Sequence, residues 1–133
     1  TLEILFFTDQ FRVEATREKW EDARAACQAL GGDLASVPDS AVMELLVSLA
    51  QGDQFWLGGN DVDTEGTFVW SDGEEFTYTN WAQERTKCNG DTVDARPNAV
   101  HARHDYITAW RTGFWDDTGK NGQKAYACRK TVA

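Results

Sequence analysis

Thr16-Arg17-Glu18-Lys19-Trp20-Glu21-Asp22-Ala23-Arg24-Ala25-Ala26-Cys27-Gln28-Ala29-Leu30-Gly31-Gly32 is the stretch on which the fold turns. Its apolar positions Trp20, Ala23, Cys27 and Leu30 recur at three- and four-residue steps, the period of one helix face. Thr16 has the side chain of an N-cap, and Gly31-Gly32 has the backbone freedom to stop a helix. The stretch therefore predicts a helix of about four turns with Cys27 on its buried stripe. Toward the N-terminus the period changes: Leu2 to Phe7 and Phe11 to Ala15 are short aromatic or β-branched runs that read as strands. Toward the C-terminus, Pro38, Asp39 and Ser40 suit a second helix start. Val42, Leu45, Leu46 and Leu49 form its inward face, and Gly52 is its end.

Beyond that helix only strand-like runs remain: Phe55 to Gly59, Thr67 to Trp70, Tyr106 to Trp110 and Ala125 to Arg129, separated by Gly, Asp and Asn clusters. Two helices packed on antiparallel strands make an α+β domain. The residues from Ala82 to Arg103 have neither a helical nor an alternating period, and a long loop in a compact domain is a place where function is carried. No internal repeat or low-complexity tract interrupts the chain.

The 133 residues fit one domain, 1–133, and 16 aromatics, six of them Trp, exclude a disordered chain. Thirteen Lys and Arg against 22 Asp and Glu give a net charge of -9, which repels phosphate backbones and anionic headgroups. Nucleic acid is thus excluded as a partner, and so is direct membrane insertion, since no apolar run approaches the ~18 residues that span a bilayer. The opening stretch lacks the basic flank and cleavage site of a signal peptide, so a soluble, mature or excised segment is expected.

Cys27, Cys88 and Cys128 have neither C-x-x-C nor zinc-ribbon spacing, so one disulfide plus one odd thiol is the simplest arrangement. Cys88 has two readings, an intermolecular disulfide that makes a homodimer and a free thiol. No Ser-His-Asp or Cys-His arrangement and no phosphate-cradling glycine loop occurs, so the sequence reads as a binding module rather than an enzyme. Asp61-Val62-Asp63-Thr64-Glu65-Gly66, with Asp72 at the twelfth position, imitates an EF-hand loop, but its flanks are strand-like rather than helical. His101 and His104 can each offer an imidazole to zinc, with Asp116 or Asp117 as a third ligand; the bland reading is two surface histidines. Trp110 and Phe114 flank Asp116-Asp117, and aromatic faces beside polar groups grip the apolar face of sugar rings.

The order of these elements, with Trp20-x-x-Ala23-x-x-x-Cys27, Trp56-Leu57-Gly58-Gly59, Asn80-Trp81, Trp115-Asp116-Asp117 and the late Cys128, resembles a C-type lectin-like domain over nearly the whole chain. The resemblance to the short invertebrate members implies a Cys27–Cys128 disulfide and an oxidising, extracellular setting, secreted or in the ectodomain of a larger protein. The family's second bridge has Tyr106 and Lys120 at its matching positions, so both partners are absent together.

The resemblance also implies a calcium ion that bridges the protein to vicinal sugar hydroxyls. Its ligand positions match Arg96-Pro97-Asn98, His104 and Asp116-Asp117, with Glu84 as an alternative ligand if an insertion follows it. Asn98, Asp116 and Asp117 keep oxygen. Arg96 cannot coordinate a cation, and its guanidinium could instead pair with Asp116 or Asp117 and replace the ion. Asp61, Glu65 and Asp105 match ligands of an auxiliary calcium site, where Ala99 offers none; the bland alternative is a solvated acidic turn. The function implied is carbohydrate recognition, of a glycan or glycoprotein, through calcium; zinc is a second cation reading that rests on the histidine ligand chemistry alone. The alternative is a metal-independent protein-binding module.

Overall fold

The computed structural model describes the backbone of residues 2–6 and the full residues 9–82 and 105–131. Of the expected site residues, Glu84, Arg96, Asn98, His101 and His104, together with Cys88 and Ala99, lie outside the described residues. In chain order the elements are β1 (Leu2–Phe6), β2 (Asp9–Glu18), α1 (Trp20–Ala29), β3 (Asp33–Leu34), α2 (Ser40–Ala50), β4 (Phe55–Asn60), β5 (Val69–Trp70), β6 (Tyr106–Ala109), β7 (Trp115–Thr118) and β8 (Lys124–Thr131). They form one sheet in the order β1-β2-β8-β4-β6-β7, with β3 paired to β8 and β5 to β4. The sheet is mixed, because β4 and β8 run parallel while every other pair of strands is antiparallel.

The first helix is shorter than its apolar period suggests. Thr16 is exposed within β2, and the N-cap is Lys19, which caps with no side-chain bond. The pairing of β2 with β8 continues past an irregularity between Glu14 and Glu18, and this ladder holds Thr16 extended against its capping preference. Leu30, expected on the buried stripe, is the C-cap and stands 42 % exposed. Trp20, Ala23 and Cys27 are buried as their period requires.

The second helix starts where its sequence says. The Val42 N–H donates to Asp39 Oδ1 at 3.0 Å, an N-cap bond that satisfies one of the orphan donors of the first turn. It ends on Gln51 in the left-handed region (φ 51°) followed by Gly52. Val42, Leu46 and Leu49 are buried, Leu45 packs partly buried against the core, and Met43 joins them although it lay outside the expected face. The strand expected from Thr67 shrinks to two residues, and Trp110 lies beyond β6 in a turn.

Cys27 and Cys128 are joined by a disulfide with their Cα atoms 5.4 Å apart. It ties α1 to the central strand β8. Two clusters share the interior: α2 with the sheet around Phe55, Leu57 and Trp115, and α1 with Trp56, Tyr106 and Cys128. Tyr106, at one matching position of the absent second bridge, stacks on Trp20 at 4.5 Å and meets Trp56 edge-on at 6.4 Å, so aromatic packing occupies that position.

Gly59 belongs to the Trp56-Leu57-Gly58-Gly59 run for a steric reason. A Cβ there would fall 2.8 Å from Ile107 Cγ1, closer still to its Cδ1, and 3.2 Å from Trp70. Gly59→Ala should therefore overpack the contact between β4 and β6 and cost about 1–3 kcal/mol, read from urea unfolding. Wild-type stability would mean that Ile107 has a free rotamer to move into.

Candidate functional site

β6 and β7 form a hairpin whose turn is closed by two backbone bonds, Trp110 N–H to Phe114 O (2.8 Å) and Gly113 N–H to Trp110 O (2.7 Å). The register sets Asp116 opposite Thr108 and Asp117 opposite Ile107. Strand alternation then sends the two carboxylates to opposite faces of the ribbon. Both are nonetheless buried, Asp116 at 6 % and Asp117 at 4 % exposure. Trp110 and Phe114 are half-buried at the turn end of the same hairpin.

Trp115 supports this edge from below. It is fully buried, sits edge-on to Trp70, Phe76, Tyr78 and Trp81, and donates its indole N–H to Met43 Sδ at 3.1 Å. Its own backbone binds the Asn80–Ala82 stretch: Trp115 N–H donates to Asn80 O and Ala82 N–H to Trp115 O, each 2.9 Å. The Asn80 side-chain amide donates to Gly113 O at 2.7 Å, pinning that stretch to the hairpin turn. Asn80 is a positioning residue that sequence reasoning used only as part of a motif. Its signal was an amide beside an aromatic at the mouth of a long loop.

The second acidic group lies where β4 ends. One carboxylate oxygen from each of Asp61, Glu65 and Asp105 falls within 4.8 Å of the others. Asp61 follows β4 and is 2 % exposed; its N–H donates to Asp105 O at 3.0 Å, which holds the loop after β4 against the entry to β6. Asp61 Oδ2 accepts the Gly66 N–H at 2.8 Å and so shapes the acidic turn. Asp61 Oδ1 is buried with no hydrogen-bond partner among the described residues. A buried orphan oxygen beside two further carboxylates is costly.

The cost shows in the titration of its neighbours. Glu65 is held above the usual carboxylate range by its contact with Asp61, then by burial and the charges of Asp61 and Asp105, against the opposing pull of the Gly66 N–H. Asp105 is raised by burial first, and then by the contact with Asp61 and its charge. Hard oxygen donors that crowd together and resist ionising in one another's presence suit a hard cation. Among the described residues this group holds oxygen donors alone, and that donor chemistry suits calcium better than zinc. Asp72, the would-be last ligand of an EF-hand, accepts instead from Ser36 Oγ and the Glu74 N–H, and the flanks of the turn are the strands β4 and β5.

Comparison with known proteins agrees with this architecture. Lectin BRA-3 of Megabalanus rosa is 29 % identical over 116 residues, 86 % of this chain, and this chain spans 66 % of BRA-3's length. The C-type lectin CEL-I from Cucumaria echinata superposes with a TM-score of 0.82 at 26 % identity, over 98 % of this chain and 96 % of that one. A calcium-independent type II antifreeze protein superposes with a TM-score of 0.84 at 23 % identity, over 98 % and 92 %, a likeness of fold alone. The family model described as the Lectin C-type domain matches residues 16–130, from the end of β2 through both helices, the acidic turn and the hairpin to β8. The chain therefore belongs to the C-type lectin domain family.

Proposed function

We propose that this chain is an extracellular recognition module that binds carbohydrate with the help of a divalent cation, calcium before zinc, and has no catalytic role. The kinship with lectins supports the carbohydrate, and one observation carries the cation: the buried, unpartnered Asp61 Oδ1 amid the carboxylates of Glu65 and Asp105. A cation there would tie the acidic turn to the entry of β6 and so steady the frame of the long loop. A glycan would be met through a second, principal cation held by Asp116 and Asp117 with Asn98 and either Glu84 or His104, while Trp110 and Phe114 offer apolar contact. Calorimetric titration of metal-stripped protein with calcium, then zinc, then a glycan library in the presence of the better ion tests the reading. Glycan binding that survives chelation would sink the cation's part in it. Binding of neither cation nor glycan would leave the metal-independent alternative, with Arg96 in place of the ion.

The acidic group makes a separate prediction with a crossing in it. Asp61→Asn removes a charge from a crowded set while keeping an acceptor for the Gly66 N–H. Without cation, at neutral pH, the variant should melt at or above the wild-type temperature; in millimolar calcium it should melt several degrees below, because it forfeits the mass-action stabilisation. Curves that do not cross on adding calcium would move the ion elsewhere.

The sign of the pH dependence follows from the raised values of Glu65 and Asp105. A carboxyl whose folded pKa lies above its unfolded value favours the folded state most when protonated. Its contribution is full below the ordinary carboxylate range near pH 4 and is lost as pH rises through the raised folded values. Calcium competes with those protons. The stabilisation by calcium should accordingly be largest near neutrality and shrink as pH falls through that window, measured as the melting-temperature difference with calcium and with chelator. A calcium effect independent of pH between 4 and 7 would contradict the assignment.

A further inference from the structure

We infer that the cleft between α1 and the acidic turn is a docking site for an arginine side chain carried on an apolar segment of a partner protein. The cleft has a volume of about 590 Å³, and none of Trp110, Phe114, Asp116 or Asp117 lines it, so it is a site apart from the hairpin. One wall is α1, through Glu21 and Arg24. The other is the turn after β4, through Val62 and Asp63, together with Val69 of β5. Trp20 and Tyr106, stacked on each other at 4.5 Å, give the cleft an aromatic floor.

Apolar exposure is the first observation that selects the occupant. Of the three large apolar side chains left exposed among the described residues, two line this cleft, Val62 at 54 % and Val69 at 45 %. A single exposed apolar residue is ordinary on any surface, but two beside one aromatic-floored cleft make a contact surface for apolar neighbours of the docked side chain.

Charge is the second. Arg24 is already engaged, since it donates to both carboxylate oxygens of Asp33 (3.1 and 3.3 Å) and to Ser71 O (3.2 Å), so its charge is balanced within the fold. The carboxylates of the two walls are not balanced. Glu21 accepts a long bond from the Tyr106 hydroxyl at 3.5 Å, and neither Glu21 nor Asp63 is ion-paired among the described residues. Two carboxylates on facing walls above aromatic rings complement a guanidinium better than an ammonium. The guanidinium is flat and weakly hydrated, stacks on rings and reaches carboxylates through several N–H groups at once, while its stem lies along apolar surface.

The test is an NMR titration of the full chain in chelator and without glycan, so its outcome is independent of the cation and of carbohydrate binding. The probe is the capped peptide Ser-Leu-Arg-Val-Ser. It should shift the Trp20 indole N–H and the Val62 and Val69 methyl signals saturably, and glutamine in place of its arginine should weaken binding about tenfold. The double variant Glu21→Gln/Asp63→Asn should lose about as much, and both positions are exposed, so the fold is kept. The control Glu44→Gln/Glu75→Gln removes two exposed charges that do not line the cleft and should bind as the wild type does. Equal binding of the two peptides, or equal losses in the two double variants, would reduce the attraction to net charge and overturn the proposal. Shifts of the same signals by a methyl glycoside, with none from the arginine peptide, would also overturn it and assign the cleft to a sugar.

Discussion

Replacing Cys27 and Cys128 together by alanine is expected to lower the stability of the domain by about 2–5 kcal/mol and its melting temperature by on the order of ten degrees. The bridge joins positions separated by 101 residues, so without it the unfolded chain regains nearly the full closure entropy of a long loop. The folded state loses as well. Cys27 is fully buried on the face of α1 that meets β3 and β8, and two alanines leave a small void between the helix and the central strand. The tie is the one disulfide among the described residues, and the second cluster, around Trp20, Trp56, Tyr106 and Tyr126, closes over it. Urea unfolding of the double variant beside the wild type gives the free-energy difference. A steeper m-value in the variant would locate part of the effect in a less compact unfolded state. A loss below ~0.5 kcal/mol would mean that this aromatic cluster holds α1 on the sheet without help.

The elements were legible in the sequence to the extent that local chemistry decides them. Asp39 caps α2 because its side chain reaches the Val42 N–H whatever the rest of the chain does. Thr16 offered the same chemistry and was overruled, since a strand ladder to β8 runs through its neighbours on both sides and supplies a tertiary alternative that no local pattern reveals. Leu30 failed for a related reason: the helix stops one residue before it, so its place on the apolar period no longer maps to a buried face. Met43 is core because Trp115, far away in sequence, needs a partner for its indole N–H.

The candidate site divides in the same way. Asp61, Glu65 and Asp105 could be named together only through resemblance, because nothing local links an acidic turn after one strand to an acid at the head of another. The burial of Asp61 and its orphan oxygen are visible only in three dimensions. Asp116 and Asp117 were legible as adjacent acids on a strand, but adjacency alone predicts that one of them faces water. Both are buried, so neither face of β7 is open to water at this point.

Asp117→Asn is expected to weaken cation-dependent glycan binding by roughly 100-fold or more, the range in which losing a metal's ligand exceeds losing its outer-shell support. The substitution keeps the shape of the side chain and one acceptor oxygen, so packing beside Trp115 is preserved while the carboxylate charge is removed. That charge matters because Asp117 is 4 % exposed, and in such a place its attraction for a cation is little screened by water or salt. Asp116→Asn provides the internal comparison: it sits opposite Thr108 rather than Ile107, one position along the same strand and on the other face by alternation. If one cation uses both residues, each variant should lose binding and the double variant should lose little more, as expected for groups acting on a single ion. Binding to an immobilised glycan, with and without chelator, reads the loss, and a melting curve in chelator shows that the fold is intact. Unchanged binding in both variants would remove the hairpin from the site. The metal-independent alternative would then be read through Arg96→Glu, which restores an acid where the family's motif carries one: a gain of calcium affinity would show that the arginine had held the place of the ion, and no gain would leave Arg96 without a part in the site.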